Sequence, residues 1–195
     1  GSHIPFDRNG YKTNTSVGEL MKHQEAPISE WVHRVRQRLY SQPAKISQFG
    51  PDGRFKKPQQ PLPLADDAAT EAYVARYVDF FGKSALEGLH LLVYQHSAVG
   101  RDILPRILRS LGARVTEAGR SETFVPIDTE NVDQGLMDSM QRLINEVCRT
   151  EGPLDALVST DGDSDRPLVL AIERDTQTAQ FVGGDLLGIL TARWL

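Results

Sequence analysis

From residue 89 onward the apolar positions alternate between two kinds of pattern. "LHLLVYQH" (89–96) is a short, nearly continuous apolar run, the mark of a strand buried on both faces. "SAVGRD" (97–102) reads as a loop, "ILPRILRSLGA" (103–113) as a helix and "RVTEA" (114–118) as a returning strand, together one βαβ unit. Leu136, Met140, Leu143, Ile144 and Val147 then share one face of a helix over about 132–149. "LDALVS" (154–159), "PLVLAIE" (167–173) and "AQFV" (179–182) read as strands, with a turn at "RDTQT" (174–178) and a last helix from about Asp185. The predicted class is α/β, with mixed sheets and flanking helices.

The first third of the chain has a different texture. Ser16 and Glu19 stand at capping-box spacing, which predicts a short helix entering at Val17 and stopped by Pro27. A second helix is expected from Ser29, with Trp31, Val32, Val35 and Leu39 on one face. Residues 41–66 hold five prolines and two glycines with little periodicity, so they read as loop and linker, and a domain boundary is expected nearby. The expected division is 1–66 and 67–195. Just after it, Tyr73, Val74, Tyr77, Val78 and Phe81 fall on one helical face, and Gly82 supplies the stop.

Composition narrows the function classes. With 39% hydrophobic and 25% charged residues the chain has the make-up of a folded domain, not of a disordered one. The net charge of −4, with Lys and Arg scattered among acids, argues against a nucleic-acid partner, which needs clustered positive charge. Cys148 is the single cysteine and lies in an apolar helical pattern, so a buried inert thiol is expected. No apolar run approaches the roughly 20 residues that span a bilayer, and no signal-peptide pattern opens the sequence. A cytoplasmic location without membrane partners is the expectation.

Three polar clusters carry the candidate chemistry. In "TDGDSDRP" (160–167) Asp161, Asp163 and Asp165 crowd into five residues, followed by Arg166. Like charges this close raise one another's proton affinity unless a cation or a ring of donors holds them ionised. The details argue against an EF-hand, the reading that would make this a Ca²⁺-binding interaction domain: its sixth and twelfth positions would be Arg166 and Ile172, and strands flank the loop where helices should be. Hard oxygen ligands with open positions suit Mg²⁺, especially beside a phosphate that Arg166 could also bind, while a solvated acidic turn is the bland alternative. "SHIPFDRNGYK" (2–12) brings a hydroxyl, an imidazole and an ammonium, Ser2, His3 and Lys12, into one turn-rich stretch, although a leading GSH also matches the remnant of an affinity tag. "YQHSAVGRD" (94–102) places His96 and Ser97 between a strand and a helix, where backbone N–H groups can meet an anion or Ser97 can simply cap the helix.

Taken together these stretches resemble the α-D-phosphohexomutase superfamily. "TDGDSDR" is similar to its D-G-D-x-D-R metal loop, "SHIPFDRNGYK" to its S-H-N-P-x-x-x-N-G-x-K phosphoserine loop, and "VYQHSAVGRDILPRILRSLGARV" to the strand, loop and helix of its second domain. Ile4 departs from the Asn often found there. The resemblance implies the end of a first domain over 1–66, carrying the phosphoserine loop, and a second domain over 67–195, carrying the metal loop. It implies that Ser2 carries the transferable phosphoryl group, with His3 and Lys12 beside it. Asp161, Asp163 and Asp165 would hold Mg²⁺, with an oxygen of phosphorylated Ser2 completing the shell and Arg166 near the phosphate. The implied activity is that of an isomerase, an intramolecular phosphotransferase interconverting hexose 1- and 6-phosphates through a bisphosphorylated sugar, of phosphomannomutase or phosphoglucomutase type. Nothing in the sequence resembles the G-E-x-S-G-H sugar loop or the R-x-S-G-T-E-P phosphate loop of the third and fourth domains. The segment alone is therefore expected to be inactive, with the remaining mutase domains in the full-length chain; a truncated noncatalytic relative that binds metal or sugar phosphate is the alternative.

Overall fold

The computed structural model describes residues 13–57, 60–61 and 63–194. The chain divides into two compact units, with the boundary between Ala65 and Asp66.

In the smaller unit, β1 (Asn14–Thr15) pairs antiparallel with β2 (Gly18–Glu19), so a tight hairpin replaces the helix expected from Val17. The reason is local. Gly18 takes φ +134°, outside any helix, and the Thr15 hydroxyl accepts from the Val17 N–H at 3.3 Å and donates to the Gly18 carbonyl at 3.0 Å. A 3₁₀ turn at Lys22–Gln24 then leads into α1 (Glu25–Tyr40), four residues ahead of the expected start. Pro27 does not stop this helix because it sits in the first turn, where its missing N–H has no partner to lose. Trp31, Val32 and Val35 share a face as predicted; with Ile28 they line an open groove of about 480 Å³. The proline-rich stretch is not all loop. Phe49 bridges Phe55 antiparallel, the two rings stand 5.0 Å apart, and Gly50 N donates to the Arg54 carbonyl at 2.8 Å.

The larger unit opens with α2 (Ala68–Phe81), ended by Gly82 at φ +85°, whose N–H closes on the Val78 carbonyl. It continues through β3 (His90–Tyr94), α3 (Ile103–Ser110), β4 (Arg114–Ala118), α4 (Gln134–Glu151), β5 (Ala156–Thr160), β6 (Pro167–Ile172), β7 (Ala179–Val182) and α5 (Gly184–Trp194). The five strands form one sheet in the order β4-β3-β5-β6-β7, parallel on the β4-β3-β5 side and antiparallel from β5 to β7. The sheet is thus mixed, as the sequence predicts.

Burial follows strand position. Residues 90–93 of β3 are all buried, as a central parallel strand covered on both faces requires, whereas β5 and β6 alternate. Leu92, Leu157, Leu170 and Phe181 lie opposite one another across four strands and meet Met140, Ile144 and Val147 of α4, whose spacing was the clearest helical signal in the sequence. α4 begins under Asp133, whose carboxylate accepts from the Leu136 N–H at 2.8 Å. A second, smaller cluster joins Val74 of α2 to Ile107 and Leu111 at the α3 end. Cys148 is half-buried at the edge of the main core, its thiol pushed above its usual pKa by burial, which agrees with an inert side chain.

At the N-terminal ends of β3 and β5, Asp155 ties the sheet together. Its Oδ2 accepts from the His90 N–H at 2.8 Å and its Oδ1 from Arg174 Nε at 2.8 Å. The His90 N–H, and then the Arg174 guanidinium, hold this carboxyl below the usual carboxylate range against the opposing effect of burial. A depressed carboxyl contributes stability above its unfolded value of about 4, and that stability is lost as pH falls through the folded value. Asp155→Ala should therefore cost about 1–3 kcal/mol at pH 7 by leaving the His90 N–H unpaired. In urea titrations the difference from wild type should shrink below about pH 4; a constant difference across that range would reject the linkage.

Candidate functional site

β3 and β5 run parallel side by side, and their C-terminal ends mark where the chain changes direction across the sheet: from β3 it crosses to β4 on one side, and from β4 back to β5 on the other. Such switch points open a crevice between two neighbouring loops, the usual place for a ligand in an open α/β sheet. Here the two loops are 95–102, after β3, and 161–166, after β5. They carry two of the polar stretches singled out in the sequence, YQHSAVGRD and TDGDSDRP.

The acidic loop is the hairpin connection between β5 and β6, with Thr160 opposite Pro167 at its base. The Asp161 N–H donates to the Arg166 carbonyl at 3.1 Å and the Ser164 N–H to the Asp161 carbonyl at 3.2 Å, curling the backbone back on itself. Ser164 takes φ +66° at the turn. Asp161, only 2% exposed, is the inner member. Its Oδ1 accepts from the N–H groups of Asp165 and Arg166 at 3.2 and 3.3 Å, but its buried Oδ2 has no hydrogen-bond partner among the described residues. Asp163 and Asp165 are exposed, and one oxygen from each of the three carboxylates lies within 4.8 Å of the others. Desolvation, and then the charges of Asp163 and Asp161, push the Asp165 carboxyl above its usual pKa, with Arg166 opposing.

This donor set fits the Mg²⁺ expected from the sequence. One hard oxygen from each of three carboxylates converges, the innermost carboxylate also has a buried oxygen without a donor, and Asp163 and Asp165 are exposed. A solvated acidic turn would leave its innermost carboxylate oxygen facing water instead.

Arg166 sits beside the triad, half-exposed, with Nη1 2.9 Å from Glu130 Oε1. An ion pair at the surface is worth little and is readily exchanged, so the guanidinium can turn to a phosphate. Glu130 was not among the residues singled out, because its link to Arg166 spans 36 positions of chain and leaves no local pattern. Asp163, Asp165 and Arg166 form the polar end of a groove of about 690 Å³ whose apolar wall includes Tyr73, Tyr77 and Ile103. His96 is fully buried, and burial lowers its pKa against the opposing effects of the Thr160 carbonyl and the Asp161 charge. Its Nε2 carries a proton and donates to the Thr160 carbonyl at 2.9 Å, since a carbonyl only accepts. Ser97 does not cap α3: its hydroxyl accepts from the Val125 N–H at 2.8 Å. Ser2, His3 and Lys12 lie outside the described residues.

Fold and site together define an α/β domain with a loop of three aspartates at its switch point. The sequence model for phosphoglucomutase/phosphomannomutase, alpha/beta/alpha domain II, matches residues 71–174, just over half of the chain. The chain belongs to this family. It is 36% identical over 195 residues to a phosphomannomutase of Sinorhizobium fredii (strain NBRC 101917 / NGR234), covering all of this chain and 36% of that protein. A phosphomannomutase of Salmonella muenchen is 34% identical over 190 residues, covering 97% of this chain and 34% of the relative. A phosphoglucosamine mutase of Marinobacter nauticus is 27% identical over 198 residues, covering 98% and 38%. The chain thus spans about a third of the length of these relatives. Among the described residues no helix is long and apolar enough to cross a membrane.

The unpartnered oxygen of Asp161 yields a direct test. Mg²⁺ added to the metal-free chain should raise Tm, by an amount corresponding to about 2.7 kcal/mol when the ion is at 100 times its Kd. Asp161→Asn keeps an oxygen to accept from Asp165 N and Arg166 N but removes the ionic ligand, so the variant should fold and lose that response. An equal Mg²⁺ shift in wild type and variant would remove Asp161 from the site.

Proposed function

We propose that this chain is the part of a Mg²⁺-dependent phosphohexomutase that presents the metal loop to a phosphoserine. The observation that carries the reading is the convergence of one oxygen from each of Asp161, Asp163 and Asp165, beside a buried Asp161 oxygen without a donor, at the switch point of a domain of this family. Residues 1–66 are assigned to the end of a first domain and 67–195 to the second, with Asp161, Asp163 and Asp165 as the ion's ligands. Phosphomannomutase names among the relatives favour mannose phosphates as substrates, and the family's description adds glucose phosphates.

In this reading Ser2 carries the phosphoryl group. A hexose phosphate hydroxyl attacks the phosphorus and gives its proton to a nearby base, the P–Oγ bond of Ser2 breaks as the new P–O bond forms, and the departing Ser2 oxygen takes up a proton to become a hydroxyl. After the bisphosphorylated sugar turns over, the Ser2 hydroxyl attacks the other phosphoryl group and the enzyme is restored. Lys12 serves proton transfer or charge stabilisation at the phosphoryl group, Arg166 supplies positive charge to the phosphate oxygens, and His3 is the neighbour of Ser2 in sequence. Bound Mg²⁺ would supply charge neutralisation at the transferring group. The acceptor hexose is gripped by parts of the longer protein, so the 195-residue segment has no turnover alone.

In a full-length protein containing this segment, Ser2→Ala should lower mutase activity on mannose 1-phosphate and glucose 1-phosphate by on the order of 10³-fold or more. Intact mass should show one phosphoryl group on wild type and none on the variant. Wild-type turnover by Ser2→Ala would sink the mechanism, and a full-length wild type that binds sugar phosphate without isomerising it would make the protein a noncatalytic relative.

A further inference from the structure

The carboxylate loop is held by its own hydrogen bonds and also by the loop after β3. His96 Nε2 donates to the Thr160 carbonyl at 2.9 Å, the Val99 N–H to the Gly162 carbonyl at 3.0 Å and the Gly100 N–H to Ser164 Oγ at 2.8 Å. Thr160 Oγ1 also reaches Ser164 Oγ, at 3.0 Å. These contacts fall within or directly beside the stretch from Asp161 to Asp165, so they fix where its carboxylates point.

The closest approach is at Gly100. A Cβ at this position would stand 2.7 Å from Ser164 Oγ and 2.9 Å from Ser164 Cβ, distances at which one loop must move. Gly100 cannot readily be the one that yields. Its carbonyl accepts from the N–H groups of both Ile103 and Leu104 at 3.0 Å, which anchors it to the start of α3, and α3 packs through Ile107 into the cluster with Val74 and Leu111. Displacement therefore falls on Ser164, which sits between two of the candidate ligands and holds a left-handed backbone conformation, φ +66°, that a side chain disfavours.

We infer that Gly100 is a positioning residue for the cation loop: its lack of a side chain lets α3 clamp Ser164, and through it Asp163 and Asp165, in the arrangement that binds the ion. The inference rests on the reading of residues 161–166 as a cation site. Residues that orient metal ligands without touching the metal typically change affinity by about 10–100-fold when altered.

The test is a double-mutant cycle on the full chain, with Mn²⁺ affinity measured by electron paramagnetic resonance and folding by circular dichroism and cation-free urea unfolding. Gly100→Ala should fold cooperatively yet bind Mn²⁺ about 10-fold or more weakly. Ser164→Gly relieves the backbone strain but loses the clamp, so a smaller loss of a few-fold is expected. In the Ser164→Gly background the added Gly100→Ala should change affinity by less than about 2-fold, because the colliding atoms are gone. If Gly100→Ala does not fold, Ser164→Ala carries the test, since it deletes both hydrogen bonds without adding bulk and should weaken Mn²⁺ binding. Wild-type affinity in Gly100→Ala, or an equal loss in both backgrounds, would overturn the inference; for a nonfolding Gly100→Ala, wild-type affinity in Ser164→Ala would do so. Absence of Mn²⁺ binding by the wild type would instead reject the cation-site reading beneath it.

Discussion

A carboxylate buried to 2% exposure is an unfavourable thing to place at the end of a strand, and Asp161 is held there by half of what it needs. Two backbone N–H groups satisfy Oδ1, and nothing among the described residues satisfies Oδ2. A buried charge left partly unsatisfied costs several kcal/mol unless it is protonated or paired. Asp163 and Asp165 make pairing with a cation the efficient answer, since an oxygen of each lies within 4.8 Å of one from Asp161. The surrounding architecture serves to keep that oxygen in place. β5 brings Asp161 to the sheet's C-terminal edge, the hairpin turns the other two carboxylates toward it, and the loop after β3 closes from the side.

The same arrangement explains why the domain is built as it is. Parallel strands leave their C-terminal ends on one edge, so two loops that are 60 residues apart in sequence become neighbours there. The β5–β6 hairpin is antiparallel, which lets a six-residue loop carry all three acids without a crossover. The row of Leu92, Leu157 and Leu170 under α4 makes the platform rigid, and Asp155 secures its opposite edge. Rigidity at both edges is what allows sub-ångström crowding at Gly100 to matter.

Much of this was legible in the residues, and for identifiable reasons. The strands and α4 of the larger unit announce themselves because each buries a face with a clean period, and "RVTEA" and "AQFV" correspond to β4 and β7 residue for residue. The front of the chain misleads because Ser16 and Glu19 match a capping box while Gly18 breaks the helix that the box would begin, and because Pro27 can open a helix as well as end one. The bridge between Phe49 and Phe55 was hidden by prolines around it. In the site, three aspartates in five residues are a local electrostatic signal, and a cation could be inferred from them alone. The partnership of Gly100 with Ser164 and of Glu130 with Arg166 could not, since each depends on chain segments brought together only by the sheet.

The central claim is that the unpartnered oxygen of Asp161 is an ion ligand. Crystals of the chain soaked in Mn²⁺ and measured at the manganese absorption edge test it without reference to activity. The account predicts one anomalous peak within about 2.1 Å of Asp161 Oδ2, shared with oxygens of Asp163 and Asp165. An ion bound by the two exposed aspartates alone, with Asp161 Oδ2 turned to a water or a protein donor, would contradict it.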